Sequence, residues 1–174
     1  MFFLPQAPGL TGPGTLTLQA WLFTPDGTTQ EINFWNLKST VGNLKIDLRK
    51  NLFILVHGFT GDWPKTWMFE LRDALLPKDN NVIIFRWTGG SAAPNYWQAA
   101  SNTRVAGAVL ARIIEVMKEA SKIDLQKTTI VGFSLGAHVA GFAGAKTPGL
   151  RRIIGSKLFF IRLRAECLSE VLQK

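Results

Sequence analysis

The segment Thr128-Thr129-Ile130-Val131-Gly132-Phe133-Ser134-Leu135-Gly136-Ala137-His138 restricts this chain more than any other. A β-branched apolar run leads into G-x-S-x-G and then into small residues suited to a helix, so the segment reads as strand, tight turn and helix. Glycines two positions either side of Ser134 relieve the crowding of such a turn and let the hydroxyl stand clear of the backbone at the mouth of a sheet. That mounting suits a serine that attacks an ester. Without the flanking strand and helix, the same five residues would describe only a glycine-rich turn.

The rest of the chain alternates strand-like and helix-like stretches. Residues 1–14 are rich in proline and glycine and form an irregular lead-in. Residues 15–23 and 30–37 read as two strands joined by the turn Thr24-Pro25-Asp26-Gly27, an antiparallel hairpin at a sheet edge. Residues 40–50 are amphipathic and fit no single element. The apolar run 51–56 has the character of a strand buried on both faces, and 81–87 is a second one. Helical spacing marks 66–76 and, at greatest length, 93–122; residues 125–131 form the strand into the turn and 134–145 the helix behind it. Alternation of this kind predicts an α/β fold with a mostly parallel sheet and flanking helices, spanning residues 15–156 as one domain. Ser134 then stands at the carboxyl end of a central strand, where such sheets hold their sites.

Composition narrows the partners. In 174 residues, 47% are hydrophobic, enough for a packed core and against disorder. No apolar run reaches the length of a membrane span. The formal charge is +8. From Arg151 onward Arg151, Arg152, Lys157, Arg162, Arg164 and Lys174 oppose only Glu166 and Glu170. The remaining charges are scattered, no nucleic-acid-binding module is present, and nucleic acid is not an expected partner. Cys167 is the single cysteine, so no internal disulfide forms. His57 and His138 are the only histidines, no metal-ligand spacing occurs, and neither a metal nor a cofactor is expected. Met1-Phe2-Phe3-Leu4 lacks a basic stretch, and Pro5 and Pro8 interrupt it, so it does not read as a secretory signal.

An ester-cleaving serine needs a base, a carboxylate to orient that base, and donors for the developing oxyanion. The Leu135 N–H, directly after Ser134, and the Phe59 N–H, in the loop after the 51–56 strand, are the candidate donors. These features, with His57-Gly58-Phe59, Asn81-Val82-Ile83, Trp87, Gly89-Gly90-Ser91, Tyr96, Gln98-Ala99, Asn102, Arg104-Val105, Gly107 and the run 132–141, resemble the secreted pancreatic-lipase family of the α/β-hydrolase fold over residues 16–155. The resemblance implies a serine hydrolase of lipid esters, of triacylglycerol lipase, phospholipase A1 or galactolipase type. In it Ser134 is the nucleophile, Phe59 and Leu135 are the oxyanion residues, the setting is extracellular, and the work is done at a lipid–water interface.

Departures from the family pattern fall at defined places. Arg152-Ile153-Ile154-Gly155 begins the family's strand, but Lys157 stands where the resemblance implies the triad aspartate, and Arg86 replaces a common aspartate before Trp87. His138, four positions after Ser134, is expected to face the helix–sheet packing as a structural histidine, and His57 to hold the oxyanion loop rather than act as base. Asp62, Asp79 and Asp124 fall in turns or surface segments and read as solvated charge. Residues 157–174 carry Ile161, Ala165, Leu168 and Leu172 at helical spacing, an amphipathic tail outside the family pattern. The sheet is therefore expected to be incomplete on its C-terminal side, and the chain to be a truncated hydrolase of weak or no activity. The alternative is a non-catalytic lipid-binding or interaction protein on a lipase scaffold.

Overall fold

In a computed structural model the described residues are 16–60, 66–92 and 94–156. Lys157, Asp62, Cys167 and the amphipathic tail lie outside them. A single sheet runs in the order β2-β1-β4-β3-β5-β6. Its strands are β1 (Thr17–Phe23), β2 (Thr29–Glu31), β3 (Leu52–Val56), β4 (Asn81–Thr88), β5 (Thr128–Phe133) and β6 (Arg152–Ser156). The pairs β4·β3, β3·β5 and β5·β6 are parallel, and β1 runs antiparallel to both β2 and β4. This is the mostly parallel α/β sheet, with an antiparallel hairpin at one edge, that the sequence pattern predicts. Among the described residues β6 forms the other edge.

Period-two alternation divides the strands between two apolar layers. Leu52, Ile54 and Val56 of β3, with Ile83, Phe85 and Trp87 of β4, pack on one face beneath α1 (Leu37–Gly42), α3 (Tyr96–Glu119) and α4 (Leu135–Ala145). Leu55, Val82, Ile84 and Val131 pack on the other against Met68, Leu71 and Leu75 of α2 (Thr66–Leu75). With both faces covered, β3 to β5 require near-continuous apolar runs, and the sequence supplies them.

Connectivity creates a crevice. From β3 the chain moves through α2 to β4 on one side; after β4 it crosses back through α3 to β5 on β3's other side. The loops leaving the adjacent ends of β3 and β5 therefore diverge to opposite faces, which is the topological switch point of an open α/β sheet.

Some expected elements differ in extent. The strand expected over 30–37 closes after Glu31, because Asn33 Oδ1 accepts from the Trp35 N–H at 2.9 Å and from the Asn36 N–H at 3.4 Å. That side-chain turn diverts the backbone from the ladder, and Leu37 opens α1 instead. The long helix starts only at Tyr96, where Asn95 Oδ1 caps the Gln98 N–H at 2.9 Å. Residues 125–127 form a 3-10 turn, so β5 begins at Thr128. Arg86 is partly buried on the α2 side of the sheet; it donates to Gln19 Oε1 at 2.9 Å, its guanidinium lies 5.7 Å from the Trp21 ring centre, and burial pushes its pKa down.

At the β1–β2 turn the Asp26 carboxylate accepts from Thr24 Oγ1 at 2.6 Å and from the Thr28 N–H at 3.0 Å. These bonds, led by the Thr24 hydroxyl, lower its pKa from 3.8 to about 2. A carboxyl whose folded pKa is depressed stabilises the fold above its unfolded pKa, and loses that contribution as pH falls through the folded one. Urea titrations of the natural chain and Asp26→Asn are expected to differ at pH 6 and to converge between pH 3.8 and about 2.

Candidate active site

Ser134 sits between β5 and α4 with φ 54° and ψ −121°, outside the regions an L-residue ordinarily occupies. Two backbone bonds hold it there: its N–H donates to Ser156 O at 2.9 Å, and its carbonyl accepts from the Ala137 N–H at 2.9 Å. The turn leaves no room for side chains beside it. A Cβ on Gly132 would lie 2.6 Å from the Gly136 carbonyl carbon and 2.7 Å from Ala137 Cα. One on Gly136 would meet the His57 carbonyl oxygen at 2.5 Å and the Val56 carbonyl oxygen closer still. The G-x-S-x-G spacing is thus required by backbone meeting backbone at both ends of the turn. Ser134 makes no side-chain cap on α4, and its hydroxyl has no hydrogen-bond partner among the described residues.

The second wall is the loop after β3. Pairing of Val56 with Gly132 brings that loop alongside the serine turn. A Cβ on Gly58 would lie 2.8 Å from Ser134 Cβ and 3.4 Å from the Leu135 nitrogen. His57 is 1% exposed and Trp87 fully buried. Trp87 donates its backbone N–H to His57 Nε2 at 3.0 Å and its indole N–H to the His57 carbonyl at 2.7 Å. An acceptor role at Nε2 puts the ring proton on Nδ1, which donates to the Gly58 carbonyl at 2.9 Å. The two rings stack with centres 5.6 Å apart. Thr60, β-branched and at φ 51°, donates its N–H to Ser91 O at 2.7 Å.

Leu135 is the first residue of α4, where a backbone N–H has no intrahelical acceptor. Neither its amide nor that of Phe59 has a hydrogen-bond partner among the described residues. Two unspent donors therefore lie on the walls beside a strained serine. The Phe59 ring meets Tyr96 edge-on with centres 5.2 Å apart, and Tyr96 meets Trp97 at 6.1 Å. This aromatic series, ending in a Trp97 that is 82% exposed, is not picked out by the sequence reading. An exposed tryptophan at the first turn of an otherwise amphipathic helix is the signal that would have found it.

The histidines divide. His57 spends both ring nitrogens in the loop and has no lone pair for a proton from Ser134. His138 is exposed rather than packed between helix and sheet. The expectation for it counted four helical steps from Ser134, but Ser134 lies outside α4 and its dihedrals are not helical. On α4 itself Gly136, Val139, Ala140 and Ala143 take the buried stripe, and His138 points outward. Asp79 caps the turn before β4 and pairs with Lys50 in the open, and Asp124 caps the Gln126 N–H at 2.9 Å; neither approaches the serine. No cluster of His, Cys, Asp or Glu suited to a metal occurs among the described residues.

Comparison with known proteins adds the lineage. A family model described as "Lipase" matches residues 12–157. Human inactive pancreatic lipase-related protein 1 is 41% identical over 114 residues, 65% of this chain and 24% of that protein. Zebrafish (Danio rerio) lipase member H is 40% identical over 98 residues, 55% of this chain and 21% of the relative. Pig (Sus scrofa) pancreatic triacylglycerol lipase is 33% identical over 119 residues, 67% and 26% respectively. The chain spans about a quarter of the length of these relatives. A sugar hydrolase from Lactococcus lactis superposes with a TM-score of 0.47 at 18% identity, over 80% of this chain and 48% of that one.

The close approach of α4 to β3 separates two glycines of one helix. Gly136→Ala drives a Cβ into backbone carbonyls that cannot retreat and should lower the melting temperature by more than about 10 °C. Gly141→Ala meets nothing within 4 Å. It should stabilise by about 0.5–1 kcal/mol through helix propensity alone. Thermal denaturation followed by circular dichroism of both variants checks the pair.

Proposed function

The chain belongs to the lipase family, and from that premise we propose that it carries the nucleophile and oxyanion half of a carboxylic ester hydrolase acting on lipid esters. Ser134 Oγ attacks the ester carbonyl. The Phe59 and Leu135 amides receive the negative charge that develops on the carbonyl oxygen, and the alcohol leaves with the acyl group on Ser134. Water then releases the acid. The observation that carries this reading is the coincidence of a strained serine with two backbone donors, none of the three hydroxyl or amide groups having a hydrogen-bond partner among the described residues, since buried or constrained amides are rarely left unpaired without a use.

The rim supports a lipid as the substrate. No Asp, Glu, Lys or Arg occurs in residues 51–61, 87–103 or 128–145, the segments that supply both walls and the start of α3. Charges gather at the other end of the parallel strands, around Asp47, Arg49, Lys50, Lys78 and Asp79. Described walls free of ionisable carboxylates and amines, flanked by Tyr96 and the exposed Trp97, lose little hydration against ester and acyl groups and fit a lipid–water interface. Triacylglycerol or phospholipid of the A1 type is the substrate, and the setting is extracellular; both follow from the family resemblance.

Turnover by this chain is weak or absent, because neither of its histidines takes the serine proton. A second reading, a non-catalytic lipid-binding protein on the same scaffold, is favoured by the similarity to relatives named as inactive. Removing base and nucleophile chemistry from a triad enzyme costs about 10⁶ in kcat, while oxyanion hole and binding retain about 10³–10⁴ over water. Hydrolysis of p-nitrophenyl butyrate and covalent labelling by a fluorophosphonate, each compared with Ser134→Ala, test the proposal. Slow labelling confined to Ser134 with hydrolysis at least about 10³-fold below a complete lipase is the expected outcome. Labelling indifferent to Ser134→Ala would remove the nucleophile assignment and leave the binding protein.

A further inference from the structure

Four residues, His57 to Thr60, make up the described part of the loop after β3, and every peptide plane between them is pinned. The His57–Gly58 plane is fixed through its carbonyl, which accepts from the Trp87 indole N–H at 2.7 Å. The Gly58–Phe59 plane is fixed through its carbonyl, which accepts from His57 Nδ1–H at 2.9 Å. The Phe59–Thr60 plane is fixed through its N–H, which donates to Ser91 O at 2.7 Å. In a trans peptide the C=O and the following N–H point in opposite directions. A bond that draws the Gly58 carbonyl onto the buried His57 ring must therefore turn the Phe59 N–H away from that ring.

We propose that His57 is a positioning residue, whose Nδ1–H holds the Gly58–Phe59 peptide in the one orientation that presents the Phe59 amide to an oxyanion on Ser134. The proposal rests on the ester-hydrolase reading for its consequence, though not for its geometry. Flipping this peptide would point the Gly58 carbonyl, an acceptor, at a developing negative charge and would withdraw one of the two donors. Trp87 completes the device. Its backbone N–H occupies Nε2 and so selects the tautomer with the proton on Nδ1. Gly58 is needed because a Cβ there would lie 2.6 Å from the Phe133 carbonyl oxygen and 2.8 Å from Ser134 Cβ, which leaves the loop no second path beside the serine.

Two substitutions divide the imidazole into its halves. In His57→Asn the amide nitrogen stands where Nδ1 was and can still donate to the Gly58 carbonyl, while the acceptor for Trp87 is lost. In His57→Gln the terminal amide oxygen can accept from the Trp87 N–H, while the donor to Gly58 is lost. Each variant forfeits one buried hydrogen bond, so their melting temperatures should fall by similar amounts. Labelling of Ser134 by a fluorophosphonate, in which serine oxygen bonds to phosphorus and fluoride leaves, reads the oxyanion donors. His57→Gln should slow it about 100-fold, the scale of a misplaced catalytic contact, and His57→Asn by less than about tenfold. The ¹⁵N shift of the Phe59 amide, which follows hydrogen bonding at the Gly58 carbonyl, should move in His57→Gln and hold in His57→Asn. Equal labelling rates with a Phe59 resonance unmoved in both variants would overturn the proposal. So would a His57→Asn as impaired as His57→Gln. If even the natural chain resists labelling, the Phe59 shift decides the positioning claim alone, and the ester-hydrolase reading fails separately.

Discussion

Backbone packs directly on backbone where the first turn of α4 crosses the end of β3, and the remainder of the site follows from that contact. Gly136 has the Val56 and His57 carbonyls against its α-carbon, and Gly132 has the peptide of Gly136 against its own. An approach this close fixes where α4 begins. With α4 fixed, the residue joining it to β5 has to turn through dihedrals that an L-residue avoids, and that residue is Ser134. The parallel register of Val56 with Gly132 then sets the loop after β3 at the same height as the turn. Neither wall could be moved without remaking the β3–β5 pairing.

Two of the four non-glycine residues with positive φ among the described residues lie in these walls. Ser134 and Thr60 both have positive φ, a state that costs about 1–3 kcal/mol for a residue with a side chain. Each is held by a short backbone bond to a neighbouring segment, Ser134 to Ser156 and Thr60 to Ser91. Between them the His57–Trp87 pair, both rings buried, supplies three further hydrogen bonds to a loop with no regular secondary structure. Donors facing a developing charge are effective when they need no reorganisation during a reaction, and the three hydrogen-bonded peptide planes between His57 and Thr60 suit that condition. The same feature explains why His57, beside the candidate nucleophile, is spent as a structural group. A ring with both nitrogens hydrogen-bonded has no nitrogen left to move a proton.

Much of this was legible in the sequence because the relevant signals are local. Buried parallel strands announce themselves as apolar runs, and the elbow announces itself through glycine spacing with a strand before and a helix after. The identity of the sheet neighbours, and hence the meeting of Gly58 with Ser134, required the pairing of distant segments, for which the family resemblance substituted. Three features escaped. The early end of β2 depends on one Asn33 side chain competing with the ladder. The outward direction of His138 escapes a helical count from Ser134, because Ser134 is not helical. The Phe59–Tyr96–Trp97 series joins the loop after β3 to the first turn of α3, which no periodicity connects. Arg86 shows the converse: it departs from the family pattern, yet finds Gln19 and Trp21 on the neighbouring strand and fits the sheet.

The molecule is also polarised from end to end. Among the described residues, segments without Asp, Glu, Lys or Arg supply both walls beside the serine, and ionised side chains line the opposite ends of the same strands. The central claim is that Phe59 and Leu135 together form a ready oxyanion hole for Ser134. A crystal structure of the chain carrying a phosphonate on Ser134 tests it most directly. The account predicts the phosphoryl oxygen at about 2.7–3.1 Å from both amide nitrogens, with the His57–Gly58 bond intact. A phosphoryl oxygen turned to solvent, with the Gly58 carbonyl facing the adduct, would contradict it.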